Sequence, residues 1–231
     1  MPPLPRTTPP DRHRPEEPAV TVTDLDPDSP VRVFADLLGP DRVIPGGTEA
    51  SAYLRDFSWY SPVLENALAD TTVDAVLRPS SVEELRGCVA AAARLRVPVT
   101  LRGAGTGNYG QGIPMAGGLV LDTSRARAVV EVGDGFVTAE AGTPMVALER
   151  AAEATGQQLW MSPSTAHSSL GGFLAGGSGG TGTIAHGSND MGFVLALDVV
   201  HAEAPALLSA VPPQGFSRPT RAARSVASVV R

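Results

Sequence analysis

The chain has 231 residues, 42% of them hydrophobic, and a formal net charge of −6. That is enough apolar material for a packed core and the wrong sign for a nucleic-acid surface, because phosphate binding needs clustered cations. No apolar run approaches the ~20 residues a membrane span requires, and the single cysteine, Cys88, excludes both an internal disulfide and a multi-cysteine metal site, so no metal is expected.

Residues 1–28 are crowded with Pro, Thr, Asp and Arg and read as a disordered lead. The start is Pro-rich and has no apolar core of a signal peptide, which points to a cytoplasmic protein. Residues 29–72 form an N-terminal helical and aromatic segment. Val33, Phe34, Leu37 and Leu38 keep helical spacing until Gly39-Pro40, and YLRDFSWYSP from Tyr53 to Pro62 is an aromatic cluster in a loop.

Asp74 to Arg78 reads as a short strand, after which Pro79-Ser80 opens a helix with a capping box of Ser80 and Glu83. Val82, Leu85, Val89 and Ala92 supply its apolar stripe. Cys88, three residues from Leu85, is more simply a buried helix residue than a reactive thiol. Pro98 stops this unit and Val99 to Leu101 begins the next strand, making a strand, helix, strand series that runs straight into RGAGTGNYGQG at 102–112.

After that loop, Gly118 to Asp122 is another strand, and Ala128 to Val132 pairs with Phe136 to Ala141 as a hairpin across Gly133-Asp134-Gly135. Thr143 is expected to cap a second helix with Pro144 at its first position and Gly156 past its end. A second glycine region, PSTAHSSLGGFLAGGSGGTGTIAHG, begins at Pro163, with Ser168 or Ser169 as N-cap of a short helix from Leu170 to Ala175. Val194 to His201 is a final core strand. The rest, 205–231, carries four arginines, four prolines and no acid, and reads as a disordered basic tail.

Each glycine region contains a literal G-x-G-x-x-G, at Gly105, Gly107 and Gly110 and at Gly177, Gly179 and Gly182. A nicotinamide-type Rossmann turn needs a helix to follow immediately, which neither sequence offers, and a phosphate-binding P-loop needs a lysine, which the chain lacks. What remains is two backbone nests able to point N–H donors at an anion, suited to a long, doubly charged ligand such as a dinucleotide diphosphate.

Taken jointly and in order, VLRPSSVEELRGCVAAAARLRVPVTLRGAGTGNYGQG, GGLVLDTSRARAVVEV, FVTAEAGTPMVALERAAEATG, the second glycine region and VLALDVV resemble the FAD-binding PCMH-type domain of FAD-linked oxidases, the vanillyl-alcohol oxidase and glycolate oxidase subunit family. The resemblance covers 73–204 and implies an α+β fold of two subdomains, one a small parallel βαβ unit and the other a mixed or antiparallel sheet with helices. It implies FAD held by backbone amides of Gly103, Ala104, Gly105, Thr106, Gly107 and Asn108. It maps further contacts onto Pro163, Ser164, Thr165, Ser169, Gly171, Gly172, Gly179, Gly180, Gly182 and Ile184, with Val200 nearby. Some relatives attach flavin to a histidine in the first loop; Thr106 stands there, so noncovalent FAD is expected.

The implied activity is that of an FAD-dependent oxidoreductase acting on a 2-hydroxy acid or alcohol. Members continue past the strand at Val194 to His201 into a substrate domain, so a truncation near Ala204 is expected and no catalytic side chain is assigned. Two alternatives stay open: a noncatalytic flavin-binding subunit served by a separate cap chain, and a nonfunctional fragment. Among other residues, His13 and His201 read as solvated and structural, His167 and His186 lie beside the loops, Trp59, Tyr60 and Trp160 read as core or interface fillers, Asp122 as a turn tether and Glu149 as part of a solvated face.

Overall fold

A computed structural model describes residues 29–177, 179–202, 207–210 and 224–226; the lead at 1–28 and most of the tail lie outside the described residues. The first sheet joins β1 (Val43–Pro45), β2 (Ala75–Leu77), β4 (Leu119–Asp122) and β3 (Val99–Arg102) in that spatial order. β2 and β3 both run parallel to β4, with Leu77 and Leu101 each opposite Leu121, and β1 closes one edge antiparallel to β2. β1 has no counterpart among the elements expected from sequence: three residues between a turn and a Gly-Gly pair are too few to display a period.

Alternation along these strands sorts the core into two faces. Ala75, Leu77, Leu119 and Leu121 face helices α1 (Pro30–Leu38) and α3 (Val82–Leu95), meeting Phe34, Leu38, Leu85, Cys88 and Val89. Val76 and Val120 point the other way, against Ile44, Ala50, Tyr53 and Leu54. The segment from residue 29 to 72, which also holds the short helix α2 (Pro62–Ala67), therefore closes both faces of the first sheet. Each fully buried aliphatic side chain here stabilises the fold by about 1.5–3 kcal/mol.

The α3 cap differs from expectation by one residue. Ser81, rather than Ser80, caps the helix by accepting from the Glu84 amide at 3.2 Å. Glu84, rather than Glu83, reaches back to the Ser80 amide at 2.8 Å and to Arg42 at 2.5 Å. Consecutive Ser-Ser and Glu-Glu pairs make the two registers indistinguishable in sequence, and the Arg42 guanidinium selects one. Cys88 is buried, and burial followed by the nearby Glu84 charge pushes its thiol up to about 12. The folded protein should accordingly resist iodoacetamide at pH 8 and become alkylated only in denaturant, with mass spectrometry as the readout.

The second sheet runs β5 (Val129–Gly133), β6 (Phe136–Glu140), β9 (Arg224–Val226), β7 (Ala196–Val200) and β8 (Leu207–Ala210). β5 and β6 form the expected hairpin, with Gly133 opposite Phe136 and Gly135 at φ +79° completing the two-residue turn. β9 lies parallel between β6 and β7, so two stretches of the basic tail are strands of this sheet. Helix α4 (Met145–Glu153) and α5 (Leu170–Ala175) cover it through Met145, Leu148, Leu170 and Phe173. Thr143 does not cap α4: Pro144 holds the cap position, and the buried Thr143 hydroxyl donates to the Ala128 carbonyl at 3.2 Å. Among the described residues no helix is long and apolar enough to cross a membrane.

Candidate functional site

Where β3 ends, the chain enters the first glycine loop at the junction of the two sheets. The backbone amides of Ala104, Gly105, Thr106, Gly107 and Asn108 donate to no acceptor among the described residues. Five consecutive unspent donors in an irregular segment form a nest with positive local potential. Gly105 holds φ +68°, and a Cβ there would lie 2.5 Å from the Arg102 guanidinium. Arg102 is thus a cation directly beneath the loop.

Arg102 is itself clamped. Its guanidinium donates to the Arg55 carbonyl at 2.7 Å and to the Tyr53 carbonyl at 3.4 Å, and lies 5.4 Å from the centre of the Tyr53 ring. The Tyr53 hydroxyl donates to Asp122 at 3.1 Å, and burial first, then the Asp122 charge, raises its pKa. Asp122 also accepts from the Ser124 amide at 2.8 Å, the turn tether expected from sequence. The loop's far end rests on the aromatic segment: the Phe57 amide donates to the Gly107 carbonyl, the Gly110 amide to the Ser58 hydroxyl, and the Tyr60 hydroxyl to Asp56 at 2.6 Å. Neither Arg102 nor Asp56 was assigned from sequence, although the arginine that opens RGAGTG was in plain view.

Burial alone would raise the Asp56 carboxyl, but the bonds from Tyr60 and Ser58 outweigh it and hold it below the usual carboxylate range. Glu84 is held low in the same way by Arg42 and Ser80. A depressed folded pKa means that this stability is complete above the unfolded value of about 4 and is lost as pH falls through the folded values. The melting temperature should hold near neutrality and drop below about pH 4, and Asp56→Asn should flatten part of that drop in a calorimetric pH series.

The second glycine region touches the first through Ser168 and Ser169. Thr106 and Ser168 hydroxyls lie 2.8 Å apart, and a Cβ on Gly103 would collide with the Ser169 hydroxyl. Ser169, of the two candidates, caps α5 by accepting from the Gly172 amide. Beyond this point most glycines answer to protein packing. A Cβ on Gly171 would stand 2.8 Å from that of Ala141, whereas Gly180 and Gly182 press on the carbonyls of Ser162 and Trp160, with Gly182 at φ +100°. Gly179 packs on Thr183, one residue into the single helical turn α6 (Thr183–His186), so the second G-x-G-x-x-G is followed by a helix after all, though one of four residues.

Among the described residues the longest run of unspent amides in the second region is Ser164, Thr165, Ala166 and His167, just before the contact with Thr106, and those of Gly179 and Gly182 are unspent as well. Pro163 joins this stretch to the segment bridged to Thr181. Ile184 is fully exposed, and Val200 is fully buried within the first core cluster, so its side chain is part of the packing and faces no open surface. Trp160 stacks on His186, ring centres 5.3 Å apart, while Trp59 stands out exposed and is no core filler. Glu149 accepts from the Ser162 hydroxyl at 3.0 Å, pinning the second region to α4.

Comparison with known proteins bears on this geometry. The model of a family described as the FAD binding domain matches residues 73–204. An uncharacterized FAD-linked oxidoreductase of Mycobacterium tuberculosis is 28% identical over 156 residues, covering 67% of this chain and 32% of the relative. A D-lactate dehydrogenase of Archaeoglobus fulgidus is 30% identical over 55% of this chain and 29% of its own length, and a glycolate oxidase subunit of Bacillus subtilis is 31% identical over 56% and 28%. In structure the chain is similar to an alkyldihydroxyacetonephosphate synthase, with a TM-score of 0.69 and 19% identity over 88% of this chain and 39% of that one. The chain thus spans about a third of the length of the curated relatives it matches, and the two-subdomain α+β architecture is that of the solved structures.

Proposed function

Because this chain belongs to the FAD-binding domain family through residues 73–204, we propose that it holds FAD across the seam between its two sheets as the flavin-binding part of an oxidoreductase. The observation that carries this reading is the run of unspent amides from Ala104 to Asn108 above the Arg102 guanidinium. A diphosphate needs that donor set: several N–H groups converging on oxygens, one fixed cation, and no side chain in the way. Ser164, Thr165, Ala166 and His167 extend the donors across the seam, and Thr106 with Ser168 ties the two halves of the cradle together. Bound FAD supplies two-electron redox chemistry, while the protein orients it and excludes competing reactions.

Several of the residues mapped by resemblance take a supporting part in this reading. Gly103, Gly171, Gly172, Gly180 and Gly182 let the two loops and the 160–163 segment approach closely enough to present the donors. Pro163, Gly179 and Ile184 belong to the cradle in this reading through the resemblance, Ile184 with its side chain fully exposed, while the Val200 side chain is buried in the core. Thr106 offers no ring nitrogen for a covalent flavin link, so the cofactor is held noncovalently. The substrate class, a 2-hydroxy acid or alcohol, follows the names of the D-lactate dehydrogenase and glycolate oxidase relatives, and we assign no catalytic side chain to this chain. Cytoplasmic placement is part of the same reading, supported by the lone, buried Cys88 thiol.

The test is direct. Protein purified with added FAD should carry flavin absorbance, and acid precipitation should leave the yellow colour in the supernatant. Colour retained in the pellet would overturn noncovalent attachment; folded but colourless protein with no affinity for FAD would overturn the cofactor. Reduction of bound flavin by D-lactate or glycolate, with this chain alone or with a separately supplied substrate domain, decides whether the reaction needs a second chain.

A further inference from the structure

We propose that a second pocket, at the C-terminal ends of β2 and β4, binds a small phosphate-class dianion. Arg78 immediately follows β2, and Ser124, Arg125 and Arg127 follow β4. These strands are parallel neighbours with Leu77 opposite Leu121, so Arg78, Ser124, Arg125 and Arg127 line one open pocket of about 410 Å³ together with Ser80, whose hydroxyl is already shared between Arg42 and Glu84. None of the three arginine side chains makes a hydrogen bond or ion pair with a described residue, and the Arg78 Nε is buried without a partner.

The nearby acids are already spent. Asp122 accepts from the Ser124 amide and the Tyr53 hydroxyl, and Glu84 is bound by Arg42 and by the Ser80 amide and hydroxyl. Three guanidinium groups against the single carboxylate of Asp122, with Glu84 already paired to Arg42, leave an excess of positive charge on this rim of a chain with net charge −6. Guanidinium forks beside the Ser124 hydroxyl match the oxygens of a phosphate or phosphate monoester, and the crevice outside the carboxyl ends of parallel strands is where α/β sheets admit ligands. β4 separates β2 from β3, whose end feeds the first glycine loop, so this pocket and that loop are different places. The assignment is independent of the flavin reading.

The experiment is isothermal titration of the full chain with inorganic phosphate in a phosphate-free buffer. Saturable binding is expected, weakened about tenfold or more by Arg125→Gln combined with Arg127→Gln, since each lost charged hydrogen bond removes a large part of the affinity. Both arginines are exposed, and a circular-dichroism melt verifies the fold of the variant; Ser124→Ala should weaken binding less and in the same direction. Arg94→Gln, the same charge change on the exposed end of α3, should leave affinity unchanged, as should saturation with FAD. Absence of saturable binding, an unaffected double variant, equal weakening by Arg94→Gln, acetate binding as tight as phosphate, or displacement of phosphate by FAD would each overturn the proposal.

Discussion

Gly105→Val should weaken FAD binding by about a hundredfold or more while leaving the protein folded. The glycine holds φ +68°, a left-handed conformation that costs a residue with a side chain roughly 1–2 kcal/mol and a β-branched one more. The new Cβ would also begin 2.5 Å from the Arg102 guanidinium, which is held from behind by the Arg55 and Tyr53 carbonyls and cannot withdraw freely. Relief comes only by turning the loop, which aims the amides of 104–108 away from a common point. Losing two hydrogen bonds to a charged diphosphate removes on the order of 3–6 kcal/mol, and about 1.4 kcal/mol is tenfold. Flavin fluorescence titration gives the affinity. Gly156→Val is the control, since Gly156 also has positive φ, at +73°, with open space around it, so it should lower stability and spare FAD. Unchanged affinity in Gly105→Val would remove the first loop from the cofactor site.

The largest loss of stability is expected from Gly142→Val. A Cβ at this position would run into the Thr123 carbonyl oxygen and stand 2.6 Å from that of Ala126, both of them backbone atoms. The Gly142 amide donates to that same Ala126 carbonyl at 2.8 Å and the Gly171 amide to the Ala141 carbonyl at 2.7 Å, so three segments are stitched together at this one point. Thr123 and Ala126 follow the first sheet and Gly142 follows the second; no side chain here can rotate away, and the two sheets themselves would have to separate. The cost should exceed about 4 kcal/mol, which for a chain of this size lowers the melting temperature by roughly 10 °C or more. Gly112→Ala, where the nearest neighbours stand at 3.7 and 3.8 Å, should shift the melt little. A small shift for Gly142→Val in calorimetry would mean that the seam is far looser than these contacts require.

Both substitutions act where the two kinds of glycine diverge. Gly105 and Gly142 look alike in sequence, each inside a run of small residues, yet one lies in the loop proposed to hold the cofactor and the other in the packing of one sheet on another. The second glycine region shows the same divergence on a larger scale. Read along the chain, PSTAHSSLGGFLAGGSGGTGTIAHG is a nest comparable with the first; folded, Gly171, Gly180 and Gly182 are packed against Ala141, Ser162 and Trp160, and the longest run of free amides falls upstream at 164–167. Val200, on the strand that the resemblance puts near the cofactor, has its side chain in the first core cluster. The α3 cap and the Thr143 cap were misplaced for a related reason: a serine or threonine beside a helix start can serve the helix or a distant carbonyl, and the choice belongs to whatever else is within reach.

The sequence by itself determined the series of strands and helices from β2 to β7 apart from the single turn α6, the βαβ crossing, the hairpin with its two-residue turn and the presence of a glycine cradle after β3, because periodicity, Gly, Pro and short capping residues act within a few positions of themselves. Only the tertiary structure decided that β1 and the aromatic segment close the first sheet, that Arg102 lies beneath Gly105, that Thr106 meets Ser168, and that Arg78 shares a pocket with Arg125 and Arg127. Each of those relations joins residues far apart in the chain, and such pairings arise from which faces must be buried together, a quantity no local window contains.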